Sequence, residues 1–336
     1  MQKIKVGFDL GNNSLKIAVL RGEAVECHEY LLPENLIQED QMTMPHAFSA
    51  FLKKIKKELH LPTGPAGLIL PGSQVICRMV TMPRMTEEQL MLNLPYEFSD
   101  FIQGEAHLYY CDYALCQPPD HAAEPEEEPM LTMMAAAVKK QQVQEYAQVF
   151  SAGGFSLRLM LPEEMALIQL VNAHRQTANN APREFCFVDL GYLSTRIVIL
   201  HDDRVQATRR IPIGGRDLSA AAADILNVDP YLADSYLQAD HQGILYHERC
   251  MEIYEQIAVE ALKLINFYHF SNRGSQLSGM YLIGGGAGIE PLRRILEDTL
   301  ELRVLSSQEL IRESAGSVAV ERCIGAVGLI ADWKED

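Results

Sequence analysis

Residues 9–20 read DLGNNSLKIAVL, and 180 positions later residues 189–200 read DLGYLSTRIVIL. Six of the twelve positions are identical, and Lys16/Arg196, Ala18/Val198 and Val19/Ile199 are conservative changes. Each copy follows one physical pattern. An apolar run (Ile4 to Phe8, and Phe185 to Val188) reads as a strand entering Asp-Leu-Gly, a tight turn follows, and a second strand leaves. Hairpins duplicated this far apart predict two related α/β halves that face each other.

The elements between and after the copies fit that plan. Phe48, Phe51, Leu52, Ile55 and Leu59 recur at helical spacing over 45–59, with Lys53, Lys54, Lys56 and Lys57 largely on the other, solvated face. Gly67 to Leu70 reads as a strand, and Thr86-Glu87-Glu88-Gln89 as a capping box opening a helix that Pro95 should kink or break near Leu94. Strand-like stretches at 107–116 and 130–138 flank an acidic, proline-rich insert at 118–129, which predicts a mobile hairpin loop. A helix over 139–152 closes on Gly153-Gly154. Segment 80–155 thus has α and β elements of its own and reads as an inserted subdomain.

In the second half, IPIGGRDLS (211–219) precedes two helical stretches, 218–226 and 230–237. A long amphipathic helix follows, carrying Ile253, Ile257, Ala261, Leu264, Ile265 and Tyr268 on one face. Strand MYLI (280–283) runs into GGGAGIEPLRRIL, where Pro291 suits the first turn of a helix.

Composition excludes several classes of function. The chain of 336 residues carries 29 Lys+Arg against 45 Asp+Glu, a formal charge of −16, so its overall field opposes binding to nucleic acid or anionic lipid. Seven cysteines without CxxC spacing argue against a disulfide framework and a zinc site. Cys111 and Cys116, five apart on one strand, point to opposite faces. No apolar run reaches the ~18 residues of a membrane span, and residues 1–5 lack the apolar region of a signal peptide. These features predict a soluble intracellular protein.

Three glycine-bearing turns follow strands, at 9–14, 189–195 and 284–288. Phosphate oxygens need backbone N–H groups at close range, and glycine removes the Cβ that would block approach. Gly11, Asn12 and Asn13 form the first turn and Gly191 opens the second, while Ser14, Ser194 and Thr195 add hydroxyl donors and Lys16 a neutralising charge. Asp9 and Asp189, at the ends of the two strands, suit a divalent cation held through water. Asp217 reads as a cap for the helix near Leu218 rather than a metal contact.

The ordered set of Asp9 to Lys16, Asp189 to Thr195 and Gly284, Gly285, Gly286 and Gly288 resembles the actin-like nucleotide-binding superfamily. Within it the chain is most similar, over nearly its whole length, to the PilM family of type IV pilus assembly. The phrases LPGSQVICRMVTMPRMTEEQL, YEFSDFI, AAAVKKQQVQEYAQVFSAGGFSLRLMLPEEMAL and IPIGGRDLS carry that similarity. The resemblance implies an actin-like (ribonuclease H-like) duplicated α/β fold, with two lobes around a nucleotide cleft and an inserted α+β subdomain in the first lobe. It implies a first lobe over 1–79 and 156–180, the inserted subdomain over 80–155, and a second lobe over 181–336 whose smaller part is 213–275.

The resemblance further implies ATP and Mg2+ as cofactors, with Mg2+ at Asp9 and Asp189, the first two turns around the phosphates, the third turn along adenosine, and Gly214 and Gly215 among the cofactor-binding residues. It makes Glu163 a water-orienting residue, or simply a carboxylate at a helix start. Glu260 and Lys263 are implied to flank adenosine, with a solvated helix edge as the other reading of Lys263. Tyr192 puts a bulky side chain into the second turn and should narrow it. The implied partner is the cytoplasmic N-terminal peptide of a PilN-like membrane protein, with possible self-association and a location at the membrane's inner face only through that partner. An FtsA-like polymerising protein is the alternative, against which the absence of a basic amphipathic tail after Gly325 counts; a small-molecule kinase is another.

Overall fold

The computed structural model describes residues 3–116, 130–178, 181–311 and 314–331. The insert at 118–129 lies outside the described residues. The first lobe opens with β1 (Val6–Leu10), β2 (Ser14–Arg21) and β3 (Ala24–Leu31), then a small hairpin of β4 (Ile37–Gln38) and β5 (Gln41–Met42), helix α1 (Pro45–Glu58) and β6 (Pro65–Leu70). Next come β7 (Val75–Pro83), α2 (Glu87–Asn93), β8 (Tyr109–Leu115), β9 (Met130–Lys139), α3 (Lys140–Ala152), β10 (Ser156–Pro162) and α4 (Glu163–Thr177). The second half contains β11 (Glu184–Leu190), β12 (Thr195–His201), β13 (Arg204–Ile211), α5 (Gly215–Leu226), α6 (Pro230–Gln238) and α7 (Glu248–Ser271). It ends with β14 (Gly279–Gly284), α8 (Glu290–Leu300), β15 (Arg303–Leu305), β16 (Ser314–Gly316) and α9 (Ile324–Gly328).

The two Asp-Leu-Gly strands occupy matching places in two sheets. In the six-stranded sheet, ordered β10-β6-β1-β2-β3-β16, β1 pairs antiparallel with β2 and parallel with β6. In the five-stranded sheet, ordered β13-β12-β11-β14-β15, β11 pairs antiparallel with β12 and parallel with β14. Both strands are covered on both faces, which is why their sequences are near-continuous apolar runs rather than alternating ones. Phe8 is fully buried against Phe150 and Phe155, in a cluster with Phe48, Leu52 and Ile55 of α1. On the other face Gly7 admits α9 so closely that a Cβ there would fall 2.2 Å from the Ala326 carbonyl.

A central core joins the halves: α4 and the segment 320–331 pack between Ala18 and Val25 of the first sheet and Phe187, Val198 and Tyr281 of the second. Residues 314–316 add strand β16 beside β3, so part of the stretch assigned to the second lobe completes the first sheet. The inserted segment builds a separate sheet, β7-β9-β8, over a core of Val80, Leu90, Leu94, Phe98 and Met133. Thr86 and Gln89 make the expected reciprocal cap, and α2 stops at Asn93, after which Pro95 sits in a 3-10 turn over 94–98. Lys53, Lys54 and Lys57 of α1 are exposed, as a solvated face requires, while Lys56 folds back over the Phe155 ring.

Candidate functional site

The register of each hairpin places an Asp opposite a cation: Asp9 opposite Lys16 in β1–β2, and Asp189 opposite Arg196 in β11–β12. Both turns close alike, Gly11 N–H donating to the Ser14 carbonyl at 3.0 Å and Gly191 N–H to that of Ser194 at 3.1 Å. The hairpins face one another across a cleft of about 640 Å³. Asp9, Gly11, Asn12, Asn13, Ser14, Lys16, Glu163, Asp189, Gly191, Ser194, Gly215, Gly285, Gly286 and Gly288 all line it. Its size falls within the usual ~300–1,000 Å³ of a small-molecule site.

Charge is concentrated on the inner wall. Burial pushes the Asp9 carboxyl above its ordinary value; Lys16, 3.8 Å away, opposes that shift, while Asp189 and Glu29 add to it. Burial disfavours charged Lys16, but Asp9, Asp189 and Glu29 outweigh it and hold the ammonium protonated. Arg196 reaches 2.6 Å from Glu163 and 3.3 Å from Glu164, and Glu163 raises its pKa further. Glu163 itself is pushed well above the carboxylate range, by burial first, with Arg196 opposing and Asp189 reinforcing. At the outer edge Arg322 donates to Glu29 at 2.6 Å and to the Gly285 carbonyl at 2.7 Å, joining the two lobes. That hydrogen bond brings Glu29 below its ordinary value, although burial pushes the other way.

The residues at the inner wall fit a divalent cation held indirectly. The Oδ1 atom of Asp189 is buried without a hydrogen-bond partner, and Asp189 and Glu29 both disfavour the ionised form of Asp9. Among the described residues no group of three or more His, Cys, Asp or Glu side chains gathers as a direct metal cage. Asp9 and Asp189 therefore suit water-mediated contact rather than an all-protein site.

Five of the expected residues sit off the lining. Thr195 is fully buried, its hydroxyl donating to the Ile213 carbonyl at 2.8 Å. Gly214 lies beneath the second turn, where a Cβ would come 2.5 Å from the Tyr192 carbonyl, so it lets α5 dock there. Gly284 has φ of +84°, and a side chain on it would strike Asp189 Oδ1. Glu260 and Lys263 are also away from the cleft. The buried stripe of α7 (Tyr254, Ile257, Ala261, Ile265, Tyr268) turns to the sheet, leaving Glu260 on the flank, where it pairs with Arg209 and Lys263.

Helices α5 and α6 contribute to the cleft instead. Leu218, Ser219, Asp234, Leu237 and Gln238 line it, with Leu245 and Ile289. Asp234 accepts a hydrogen bond from Ser219, and burial holds its carboxyl above the ordinary value. Tyr192 borders the cleft between the second turn and α5, and Asp217 caps α5 by accepting from Gly214 N–H at 2.8 Å. Arg196 was visible in the sequence as the counterpart of Lys16. Asp234, Arg210, Arg322, Glu29 and Asp40 had no local signal, because long-range packing alone brings them to the cleft.

A family model described as type IV pilus assembly protein PilM matches residues 7–312. Among solved structures, a PilM-PilN type IV pilus biogenesis complex matches with a TM-score of 0.79 at 20% identity, covering 97% of this chain and 96% of that one. The ethanolamine utilization protein EutJ of Carboxydothermus hydrogenoformans follows at 0.59 and 14%, over 97% and 88% of the two chains. MreB5 of Spiroplasma citri bound to ADP matches at 0.51 and 11%, over 98% and 95%. At these identities the structures establish the fold, a duplicated actin-like α/β architecture.

Proposed function

The chain belongs to the type IV pilus assembly protein PilM family, and from that premise we propose that it is an ATP-binding scaffold which docks the N-terminal cytoplasmic peptide of a PilN-like membrane protein. The observation that carries the ATP reading is the pair of hairpins facing one cleft, each with an Asp opposite a cation. Backbone N–H groups of the turns at 11–14 and 191–194 bind phosphate oxygens, and Lys16 neutralises their charge. Asp9 and Asp189 would hold Mg2+ through water, and the ion would supply countercharge to the phosphates. Gly285, Gly286 and Gly288 of the glycine turn, with Leu218, Leu237 and Leu245, would hold adenosine. Asp234, rather than Glu260, accepts hydrogen bonds from the nucleoside.

Glu163 is held by Arg196 at 2.6 Å, and that ion pair competes with any water it would activate. Binding, which fixes the relative orientation of the lobes, therefore matters more than turnover. The partner reading is supported by the family and by the apolar surface of the inserted subdomain, where Leu92, Tyr96 and Phe101 are more than half exposed. No helix among the described residues is long and apolar enough to cross a membrane, in keeping with recruitment by a partner. Calorimetric titration with Mg-ATP, and separately with an N-terminal peptide of a PilN-like protein, tests both parts. Saturable binding of each is expected, and a protein that binds neither overturns the proposal.

A further inference from the structure

The small hairpin β4–β5 brings Asp40 to the cleft. Its turn residues Glu39 and Asp40 have φ of 47° and 63°, a left-handed conformation that two-residue turns usually give to Asn or Gly. Partners on three sides hold it. Asp40 N–H donates to Asn12 Oδ1 at 2.8 Å, and Asn12 Nδ2 donates back to Asp40 Oδ1 at 2.5 Å. Ser73 Oγ donates to Asp40 Oδ2 at 2.6 Å, and Gln74 Nε2 donates to the Asp40 carbonyl. From the second lobe, Arg210 Nη2 lies 3.6 Å from Asp40 Oδ2, while its Nε donates to Ser194 Oγ at 2.9 Å.

Asn12 and Ser194 belong to the two turns assigned to phosphate, so the Asp40 carboxylate stands between both of them against a guanidinium. A carboxylate in that position supplies the charge and acceptor atoms that a phosphate oxygen would. We propose that Arg210 and Ser194 form a subsite for the terminal phosphate of a nucleoside triphosphate, and that Asp40 competes with that phosphate for Arg210. This inference rests on the nucleotide reading. The Arg210 side chain is 43% exposed, so a ligand in the cleft can reach it, and a terminal phosphate offers it more charge than a carboxylate. Losing Arg210 loosens Asp40 and, with it, Ser73 and Gln74. Gln74 directly precedes β7 and accepts from Tyr146 of α3 at 3.0 Å, so the competition is transmitted to the inserted sheet.

Three variants of the full chain test this. Asp40→Asn removes the competing charge and keeps the turn, since Asn adopts left-handed backbone readily. By calorimetry it should bind Mg-ATP roughly fivefold more tightly while Mg-ADP affinity stays the same, and Arg210→Gln should weaken ATP roughly tenfold and spare ADP. Without any nucleotide, Asp40→Ala should speed amide hydrogen exchange at residues 72–76, with circular dichroism confirming that each variant is folded. An unchanged ATP-to-ADP ratio in Asp40→Asn, or unchanged exchange in Asp40→Ala, overturns the inference while leaving the nucleotide reading intact. Tightening for inorganic phosphate but not for ATP overturns it too, by assigning the subsite to the free anion. Wild-type protein that binds neither nucleotide overturns the nucleotide reading and this inference with it.

Discussion

Arg196 of β12 sets its Nη1 atom 2.6 Å from Oε2 of Glu163, the first residue of α4, tying the second hairpin to the helix that returns from the inserted subdomain. Asp189, its partner in register, thereby has its own cation drawn toward two glutamates, Glu163 and Glu164. The first hairpin differs: Lys16 stays with Asp9. The duplicated sequences thus perform different tasks, one neutralising its own carboxylate and the other restraining a neighbouring one.

Glu163→Gln should raise the thermal midpoint at about pH 7.5, because burial holds the folded-state carboxyl well above its ordinary 4.5 and ionisation opposes folding. A raised folded-state pKa favours the fold fully below the ordinary value, and that contribution is lost as pH rises through the folded one. The advantage of the variant should therefore shrink on acidification and vanish below about pH 4.5. Thermal melts across this range check the sign. Arg196→Met, which leaves Glu164 and Asp189 without their buried cation, should instead cost about 3–5 kcal/mol near neutral pH.

Asp9→Ala should weaken Mg-ATP about tenfold or more, measured by calorimetry, since it removes a cation-orienting carboxylate and releases Lys16 from its pair. The glycine turn separates packing from binding. A Cβ at Gly285 meets only the Leu190 carbonyl at 3.6 Å, whereas one at Gly286 would fall 2.1 Å from the Leu190 side chain. Gly285→Val should accordingly keep its melting temperature and lose ATP, while Gly286→Val should lose about 1–3 kcal/mol of stability as well.

Asp234→Ala should lower ATP affinity several-fold, and Glu260→Ala should leave it unchanged. Asp234 faces the cleft, and Glu260 is spent on Arg209 and Lys263 outside it. Equal effects of the two substitutions on ATP titrations would return the nucleoside contact to α7.

Tyr96→Ala and Leu92→Ser, which remove side chains 75% and 67% exposed, should weaken binding of a PilN-like N-terminal peptide by about 1–3 kcal/mol each and spare ATP affinity. Arg84→Glu should act in the same direction. Fluorescence anisotropy with a labelled peptide measures all three, and loss of ATP binding in parallel would mean that the subdomain had been disrupted rather than its surface.

The duplication is legible in the residues alone, and with it the placement of Asp9 and Asp189. Period-2 and near-continuous apolar runs mark strands locally, and a repeated turn repeats its hydrogen bonds wherever it occurs. The capped start of α2, its stop before Pro95 and the solvated lysines of α1 were legible for the same reason, since each depends on residues within a turn or two. Tertiary structure alone decided which helices face the nucleotide cleft. Glu260 and Asp234 both lie on helices with apolar faces, and only packing turned the flank of α7 to Arg209 and α6 to the cleft. It also carried Arg322, 293 residues from Glu29, into contact with it, and brought Asp40 between Asn12 and Arg210. Side-chain periodicity encodes which face of an element is buried, not what it is buried against, so contacts between distant segments emerge only when the core closes.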